Sequence, residues 1–186
     1  MTSFILMGLK HSGKSTLAGR LAHELRCKFV DLDHIIESIY RADRLVSCRE
    51  SYQRHGKKYF TALETEAAGK LNVMINEEPL VAALGGGTGE NSSAMEQLKG
   101  SGTLIYLQDD EQVLYNRIMK RGRPAFLPED DPKSAFHELF VRRHNLYHEF
   151  ADHVADVSGN TILDAFEVLR RLLMDQFDGL LGDSSY

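Results

Sequence analysis

The chain has 186 residues, a formal net charge of −5 and two cysteines, Cys27 and Cys48. This length is enough for one domain with a substantial core, so the cysteines, which lack metal spacing, are interpreted as free thiols. The negative charge has no basic stripe to offset it, which argues against nucleic-acid binding. No apolar run reaches the roughly 18 residues that span a bilayer, and no signal segment precedes the first strand, so we expect a cytoplasmic protein without membrane contact.

Short apolar runs alternate with helical patterns along the chain. The predicted strands are Phe4–Met7, Phe29–Leu32, Leu80–Leu84, Thr103–Leu107 and Val154–Val157. This alternation predicts an α/β fold with parallel strands and helices on both faces of the sheet. We expect one domain over residues 1–186, with a frayed tail at residues 179–186. No long apolar stripe is left over outside the core, so a monomer is expected.

The first predicted strand leads into a phosphate-binding loop with the spacing G-x-x-x-x-G-K-[ST]. Leu17, Leu21 and Leu25 recur at helical spacing behind it, so the loop opens a helix. Glycines let successive N–H groups converge on an anion, a lysine supplies a cation, and a serine hydroxyl can bind Mg²⁺. The residues predicted to bind a nucleotide here are Gly8, His11, Ser12, Gly13, Lys14, Ser15 and Thr16.

Two acids, Asp31 and Asp33, end the second predicted strand. Ligands bind at the carboxyl ends of parallel strands, so both carboxylates are expected at the same sheet edge as the phosphate loop. Phosphoryl transfer needs one acid to hold Mg²⁺ and one to orient or deprotonate the attacking hydroxyl. The structural alternative is that Asp33 caps a helix that begins near His34.

Gly85, Gly86 and Gly87 end the third predicted strand, again on the ligand edge. Three glycines allow the backbone to approach a ligand closely and leave N–H groups free to donate. A plain turn would explain them as well, but their position favours substrate binding.

Arg143 falls inside an apolar helical stripe formed by Phe136, Leu139, Phe140, Tyr147 and Phe150. A guanidinium on an apolar face must pair, because an unpaired buried charge is costly. A structural ion pair would satisfy it. An anionic substrate would satisfy it better, given the bidentate geometry of arginine, whereas Arg142 is expected in solvent.

A basic segment, Lys120-Arg121-Gly122-Arg123-Pro124, precedes an acidic loop. Small-molecule kinases close a lid, because water would otherwise take the phosphoryl group. Arg123 on such a lid would stabilise charge on that group, although a cluster of this kind is often only a solvated helix end. His144 and His148 are four residues apart but lack a third ligand, so no metal is assigned to them.

Together these features resemble the shikimate kinase family of P-loop proteins, from about Ile5 to Asp156. After the phosphate loop, the most specific piece is the string from Arg143 to Asp152, which fits R-x-x-L-Y-x-E-x-A-D. The other pieces are Phe29-Val30-Asp31-Leu32-Asp33, Gly85-Gly86-Gly87 and Arg123-Pro124. The resemblance implies a three-layer fold with a five-stranded sheet in the order 2-3-1-4-5 and a mobile lid at about residues 118–134. It further implies ATP and Mg²⁺ as co-substrates and transfer of the γ-phosphate to the 3-hydroxyl of shikimate.

The resemblance also implies roles for individual residues. Lys14 would bind the β- and γ-phosphates, and Ser15 would hold Mg²⁺ with Asp31 behind it. Asp33 would orient and deprotonate the acceptor hydroxyl. The remaining roles are lid contact with the phosphates for Arg123, adenine packing for Arg117 with the adenine loop at Val157–Thr161, and shikimate binding for Gly85, Gly86, Gly87 and Arg143.

One segment departs from the family pattern G-E-x-x-F-R-x-x-E. The chain reads Gly56-Lys57-Lys58-Tyr59-Phe60-Thr61-Ala62-Leu63-Glu64, with Thr61 at the position of an arginine that binds the substrate carboxylate in the family. Losing a charge-assisted contact of that kind costs about 1.5–3 kcal/mol. Lys57 and Lys58 lie one helical turn earlier, and we hypothesise that they compensate.

Thr61 leaves other readings open. One is a P-loop kinase for a different small hydroxylated acid, such as a sugar acid. Another is a nucleotide-binding regulatory protein with little turnover, against which the retained Lys14, Asp33 and Arg123 argue. A GTPase switch is disfavoured because the guanine-reading N-K-x-D string is absent.

Overall fold

A computed structural model describes residues 2–40, 47–120, 122–124 and 126–176. The strands in these ranges are β1 (Phe4–Met7), β2 (Lys28–Asp31), β3 (Leu80–Ala83), β4 (Thr103–Gln108) and β5 (His153–Asp156). The helices are α1 (Lys14–Glu24), α2 (Leu32–Tyr40), α3 (Cys48–Glu77), α4 (Ser92–Leu98), α5 (Glu111–Lys120), α6 (Pro132–Phe150) and α7 (Ile162–Gln176). A 3₁₀ turn, Thr88–Glu90, lies between β3 and α4.

The strands form one parallel sheet in the order β2-β3-β1-β4-β5, which confirms the predicted fold class and strand order. β1 lies at the centre of the sheet, where Ile5 pairs in register with Ala82 of β3 and Leu104 of β4. All four residues of β1 are buried, as expected for a strand covered by helices on both faces. The carboxyl end of β1, where the phosphate loop begins, therefore lies in the middle of the ligand edge.

The sheet separates two cores. Ile5 and Met7 point to one face, where they join apolar side chains of α3, α4, α5 and α6. Phe4 and Leu6 point to the other face and pack with α1 and α7. This alternation, with a period of two residues, gives the three-layer architecture.

The predicted strand limits are correct for β1 and differ by one residue at one or both ends of the other strands. One difference affects the site. The prediction that Asp33 ends the second strand is wrong, because β2 ends at Asp31 and α2 begins at Leu32. Asp33 therefore lies in the first turn of a helix rather than at its N-cap.

Helix α3 is interrupted at Gly56, whose backbone angles (φ 78°, ψ 179°) are not helical. A positive φ of this size suits glycine, and within the described ranges no atom beyond the adjoining helix backbone lies within 4 Å of the position that a Cβ would occupy. A second helical segment therefore starts at Lys57 and carries Thr61 and Glu64 toward the ligand edge. The sequence pattern predicted only this second segment.

The predicted lid at residues 118–134 extends from the last turn of α5 to the first turn of α6. Residues 121 and 125 and the predicted tail at 179–186 lie outside the described residues. Of the helices in the described ranges, none combines the length and apolarity that crossing a membrane requires.

Candidate active site

The phosphate loop connects β1 to α1 through three residues with positive φ: Gly8 (150°), His11 (69°) and Gly13 (89°). A side chain at Gly8 would place its Cβ 2.8 Å from the Leu107 carbonyl oxygen of β4, so the loop cannot accommodate one there. His11 adopts its left-handed conformation without being glycine. A loop of this conformation at the N-terminus of a helix can offer its backbone N–H groups to an anion.

Lys14 is 7% exposed, and its ammonium donates a hydrogen bond to the Leu9 carbonyl oxygen at 2.8 Å. Burial lowers the pKa of Lys14 from 10.5 to about 8, against the opposing effect of the negative charges of Asp33 and Asp31. The positive charges of Arg143 and Lys10 act in the same direction as burial. Lys14 is thus a cation in a poorly solvated site, where binding of an anion would be strongly favoured.

Asp31 connects the phosphate loop to the acceptor side of the site, which consists of Asp33, the glycine segment Gly85–Gly87 and Arg143. Its Oδ2 accepts a hydrogen bond from the Ser15 hydroxyl at 2.7 Å, and its Oδ1 accepts one from the Asp33 backbone N–H at 3.0 Å. The second bond satisfies an N–H in the first turn of α2. Asp31 therefore caps this helix, the role that the alternative interpretation of the sequence gave to Asp33. The Asp33 side chain is left available for other chemistry.

Burial and the neighbouring charge of Asp31 raise the pKa of Asp33 from 3.8 to about 6, although Lys14 lowers it in part. Glu64 and Glu37 also raise it. A carboxyl with this pKa is ionised near neutral pH yet basic enough to accept a proton, which matches the requirement for a general base.

Gly85 packs close to side chains of α2, α3 and the 3₁₀ turn. A Cβ at this residue would lie 3.0 Å from Asp33 Oδ1, 3.0 Å from Thr88 Oγ1 and 3.6 Å from Glu64 Oε1. The glycine therefore leaves space that a side chain would fill between three oxygen atoms. The Asp33 carboxylate faces the glycine segment at this position.

A buried polar network holds the glycine segment against α3. The Glu64 carboxylate accepts hydrogen bonds from Thr88 Oγ1 at 2.7 Å and from Asn91 Nδ2 at 3.0 Å. Asn91 Nδ2 also donates to the Thr61 carbonyl oxygen at 3.0 Å. The sequence analysis assigned no role to Glu64, Thr88 or Asn91. The match of Glu64 to the family pattern was the only signal that pointed to one of them.

Arg143 is 17% exposed and forms the ion pair that the sequence left as one of two alternatives. Its Nε and Nη2 donate to Glu90 Oε2 at 2.9 and 2.7 Å, and its Nη1 donates to the Gly86 carbonyl oxygen at 2.8 Å. Arg142, predicted to lie in solvent, is 55% exposed and donates to Glu90 Oε1 at 2.8 Å. Glu90, which the sequence analysis missed, thus anchors both arginines.

Glu90 is held in its ionised form by these partners. Burial acts to raise its pKa, but the hydrogen bonds and charges of Arg142 and Arg143 outweigh burial and lower it. The ion pair fixes the Arg143 guanidinium beside the glycine segment. Arg143 therefore forms a structural ion pair with Glu90 and also lies at the ligand edge of the sheet.

The phosphate loop and the glycine segment touch at Gly86. A Cβ on Gly86 would lie 2.8 Å from the Lys10 backbone nitrogen and 3.0 Å from its Cα. At Gly87, a Cβ would lie 3.2 Å from Arg143 Nη2. The predicted glycines therefore sit between Lys10 of the phosphate loop and Arg143 of α6.

Arg117 lies on the other side of the phosphate loop. Its Nη1 donates to Asp109 Oδ2 at 2.5 Å and to the His11 carbonyl oxygen at 3.1 Å. Beside it is a cavity of about 270 Å³. The cavity is lined by His11, Ser12, Gly13, Asp109, Arg117, Val157, Asn160, Thr161, Ile162 and Ala165. The structure thus brings together Arg117, the predicted adenine loop and the phosphate loop.

The remaining predicted residues are more exposed. Arg123 donates to the Leu127 carbonyl oxygen and, at 2.5 Å, to Glu129 Oε1, so its described contacts are within the predicted lid. Lys57 and Lys58 are exposed at the start of the second segment of α3, and Thr16 is exposed in the first turn of α1. His144 Nδ1 pairs with the Tyr106 hydroxyl at 3.0 Å and His148 Nε2 with Gln108 Oε1 at 2.9 Å, so both rings have protein partners.

Comparison with known proteins identifies relatives for most of the chain. Residues 10–173 match the family model described as shikimate kinase. The chain is 33% identical to the shikimate kinase of Caldanaerobacter subterraneus over 91% of its own length and 95% of the relative's. It is 32% identical to the shikimate kinase of Chlamydia pneumoniae, covering 83% and 86%.

Solved structures show the same fold. The shikimate kinase of Acinetobacter baumannii in complex with shikimate has a TM-score of 0.82 at 24% identity, covering 95% of both chains. The shikimate kinase of Aquifex aeolicus has a TM-score of 0.76 at 25% identity, covering 95% of this chain and 99% of the other.

Proposed function

The chain belongs to the shikimate kinase family, and on that premise we propose how its residues carry out ATP- and Mg²⁺-dependent phosphorylation of the 3-hydroxyl of shikimate. The family match favours this function over phosphorylation of a sugar acid. The observation that carries the residue-level proposal is the convergence of Lys14, Asp33 and Arg143 at the carboxyl ends of the central strands.

On the nucleotide side, Lys14 neutralises charge on the β- and γ-phosphates, which are also held by backbone N–H groups from Gly8 to Thr16. Support comes from the burial of Lys14 and from the positive φ angles of the loop. Arg117 packs on the adenine in the cavity that it lines with residues 157–161. Its hydrogen bond to the His11 carbonyl oxygen couples the base site to the phosphate loop.

Ser15 and Asp31 fit a magnesium ion, because a hydroxyl and a carboxylate 2.7 Å apart are the oxygen donors that Mg²⁺ prefers. Among the described residues, no cluster of three or more acidic, histidine or cysteine side chains could hold a metal by itself. The ion would therefore share its coordination with nucleotide phosphates, as Mg²⁺ commonly does. When bound, it would supply charge neutralisation on the phosphoryl oxygens.

On the acceptor side, Asp33 orients the 3-hydroxyl and takes its proton as the oxygen attacks the γ-phosphorus, while the bond from the γ-phosphorus to the β,γ-bridging oxygen breaks and ADP leaves. Its pKa of about 6 supports this role. Arg143 binds the shikimate carboxylate, and N–H groups of Gly85, Gly86 and Gly87 donate to the acceptor. The Glu64 network positions these glycines by holding Thr88.

Two further groups act on charge. Arg123 reaches the transferring phosphoryl group when the lid closes, and exchanges its contact with Glu129 for one with phosphate. Lys57 and Lys58 raise the positive potential near the acceptor in place of the arginine that Thr61 replaces. Both lysines are exposed, so their contribution is a screened, longer-range one.

The same proposal includes a monomer that works in the cytoplasm. Neither property is needed for the chemistry. Size-exclusion chromatography with light scattering tests the first, because a monomer should elute with the 21.0 kDa mass of the chain.

ADP release with Mg·ATP, measured against shikimate, quinate, gluconate and no acceptor, tests the function. We expect release that depends on shikimate, with product that is phosphorylated at the 3-hydroxyl. Release only with another acceptor would contradict shikimate as the substrate. Release with no acceptor at all would indicate hydrolysis, and no release would favour the regulatory reading.

A further inference from the structure

Lys10 occupies the third position of the phosphate loop, where the motif places no chemical requirement. Its backbone nitrogen, Cα and Cβ lie 2.8, 3.0 and 3.1 Å from the position that a Cβ on Gly86 would occupy. The lysine stem thus begins beside the glycine segment, on the acceptor side of the loop. Its side chain is exposed rather than packed into the core.

The Lys10 ammonium makes no hydrogen bond or ion pair with the part of the chain that the structure describes. The other cations near the ligand edge are engaged: Lys14 with the Leu9 carbonyl oxygen, Arg143 with Glu90, and Arg117 with Asp109. Lys10 lies beside the glycine segment and has no acidic partner there. Its positive charge is therefore available to an anion that binds at this segment.

Arg143 alone provides limited binding capacity for a carboxylate. A guanidinium has five N–H donors, and three of those of Arg143 are used, two by Glu90 and one by the Gly86 carbonyl oxygen, which leaves two. Its charge is also balanced in part by Glu90. A carboxylate at the Gly86–Arg143 edge would therefore gain from a second cation.

We propose that Lys10 is a specificity residue whose ammonium binds the carboxylate of the acceptor together with Arg143, across the backbone of Gly86. This inference rests on the proposed function, since that carboxylate belongs to shikimate. Lys10 extends from the phosphate loop on one side of Gly86, and Arg143 contacts the same residue from α6. The two cations then hold the acceptor ring in a defined orientation with its 3-hydroxyl toward Asp33.

Geometry favours Lys10 over Lys57 and Lys58 for direct contact. All three atoms nearest to a Cβ at Gly86 belong to Lys10, and none of those nearest to Gly85 or Gly87 belongs to Lys57 or Lys58. The latter two follow the interruption at Gly56, in a different segment. We therefore expect a larger effect on acceptor binding from Lys10 than from either of them.

Steady-state kinetics of Lys10→Met test the proposal. We expect the KM for shikimate to rise about tenfold or more, as for loss of one charge-assisted contact, while kcat and the KM for ATP change less than about threefold. Lys10→Arg should restore most of the affinity, and Lys10→Gln should behave as Lys10→Met does. Lys99→Met, at an exposed position after α4, is the matched control and should leave all constants unchanged.

The methyl ester of shikimate, which lacks the negative charge, separates charge recognition from a general disturbance of the loop. The unaltered protein and Lys10→Met should use the ester with equal kcat/KM. An equal loss with acid and ester, an unchanged KM for shikimate, or a KM for ATP that rises as much as that for shikimate would each overturn the proposal while the function stands. No shikimate-dependent ADP release by the unaltered protein would overturn both.

Discussion

In the nucleotide half of the proposed site, one run of consecutive residues, Gly8 to Thr16, would hold the phosphates, and Asp31 and Arg117 contact this run through Ser15 and His11. The acceptor half is assembled from separate parts of the chain. Asp33 comes from α2, Glu64 from α3, the glycines from the segment after β3, and Arg143 from α6. The two halves meet where Gly86 packs against Lys10, and Asp31 also links them through its hydrogen bonds with Ser15 and the Asp33 N–H.

The two halves therefore differ in which of their residues can be exchanged without loss of the site. A loop whose backbone N–H groups bind phosphate depends on its own local geometry, so the same spacing works wherever it follows a strand and opens a helix. A carboxylate site made from side chains on four segments depends on their packing, and a cation can be supplied from more than one of them. Thr61 and Lys10 illustrate such an exchange under the proposal above.

Asp33→Asn should produce the largest effect on the acceptor half alone. Because the base for the 3-hydroxyl is lost, we expect kcat to fall by a hundredfold or more, while ATP binding survives. Single-turnover kinetics and equilibrium binding of a fluorescent ATP analogue measure the two properties. Turnover within tenfold of the unaltered protein would remove Asp33 from catalysis.

Stability provides the control for this variant. A carboxylate whose pKa rises from 3.8 to about 6 destabilises the folded state once it is ionised, by up to about 3 kcal/mol. In the unaltered protein this loss develops as pH rises from about 4 to 6. Asp33→Asn should therefore increase the free energy of unfolding at pH 7.5 by about 1–3 kcal/mol and by less at pH 4, as measured by urea denaturation.

Gly86→Ala should disturb both halves at once. The new Cβ would lie 2.8 Å from a backbone atom of Lys10, so the phosphate loop or the glycine segment must shift. Strain of about 1–3 kcal/mol corresponds to a loss of roughly 5- to 150-fold in kcat/KM, and we expect it for ATP and shikimate alike. A loss confined to one substrate would show that the halves are mechanically independent.

Gly19→Ala is the matched control for that substitution. Gly19 lies inside α1, and its added Cβ would meet only Phe29 Cδ1, at 4.0 Å. Alanine is the better helix former, so the variant should retain full activity and gain about 0.5–1 kcal/mol in stability. Loss of activity in this variant would mean that small changes in α1 also reach the site.

The pH dependence should assign one titration to each half. Asp33 must be ionised to accept a proton, so kcat/KM for shikimate should fall about tenfold for each pH unit below 6. Lys14 must be protonated to attract phosphate, so kcat/KM for ATP should fall likewise above about pH 8. Bound phosphates raise the pKa of Lys14, so this alkaline loss should be absent from kcat.

Lys14→Arg distinguishes the alkaline titration from other causes, because a guanidinium does not lose its proton in this range. Whatever its absolute activity, this variant should show no decline near pH 8. A decline that persists would mean that another group titrates there. The acid limb should remain, since Asp33 is unchanged.

The sequence could place the phosphate loop between a strand and a helix, as the structure has it, because the spacing of its glycines and lysine is local. Glu90 could not be found in this way: its partner Arg143 is 53 positions away, and an acid near a glycine segment has no distinctive pattern. The network of Glu64 with Thr88 and Asn91 likewise forms only when α3 packs beside the segment after β3.

The fold was predictable to the level of strand order, through a family resemblance, but not in its exact limits. Asp33 was placed at the end of the second strand, with a helix that begins near His34 as the alternative. The deciding interaction is the hydrogen bond from the Asp33 N–H to Asp31 Oδ1, and α2 begins at Leu32, two residues before His34. Lys10 was passed over because its position in the loop motif accepts any residue.

The tight packing at Gly86 also bears on inhibition and resistance. An inhibitor that binds the backbone of Gly86 would contact a residue that cannot be replaced by one with a side chain unless the phosphate loop shifts. Substitution there to evade the compound would also damage the protein's own nucleotide site. Compounds that rely on exposed Lys57 or Lys58 would meet no such restriction, so the glycine segment is the more durable target.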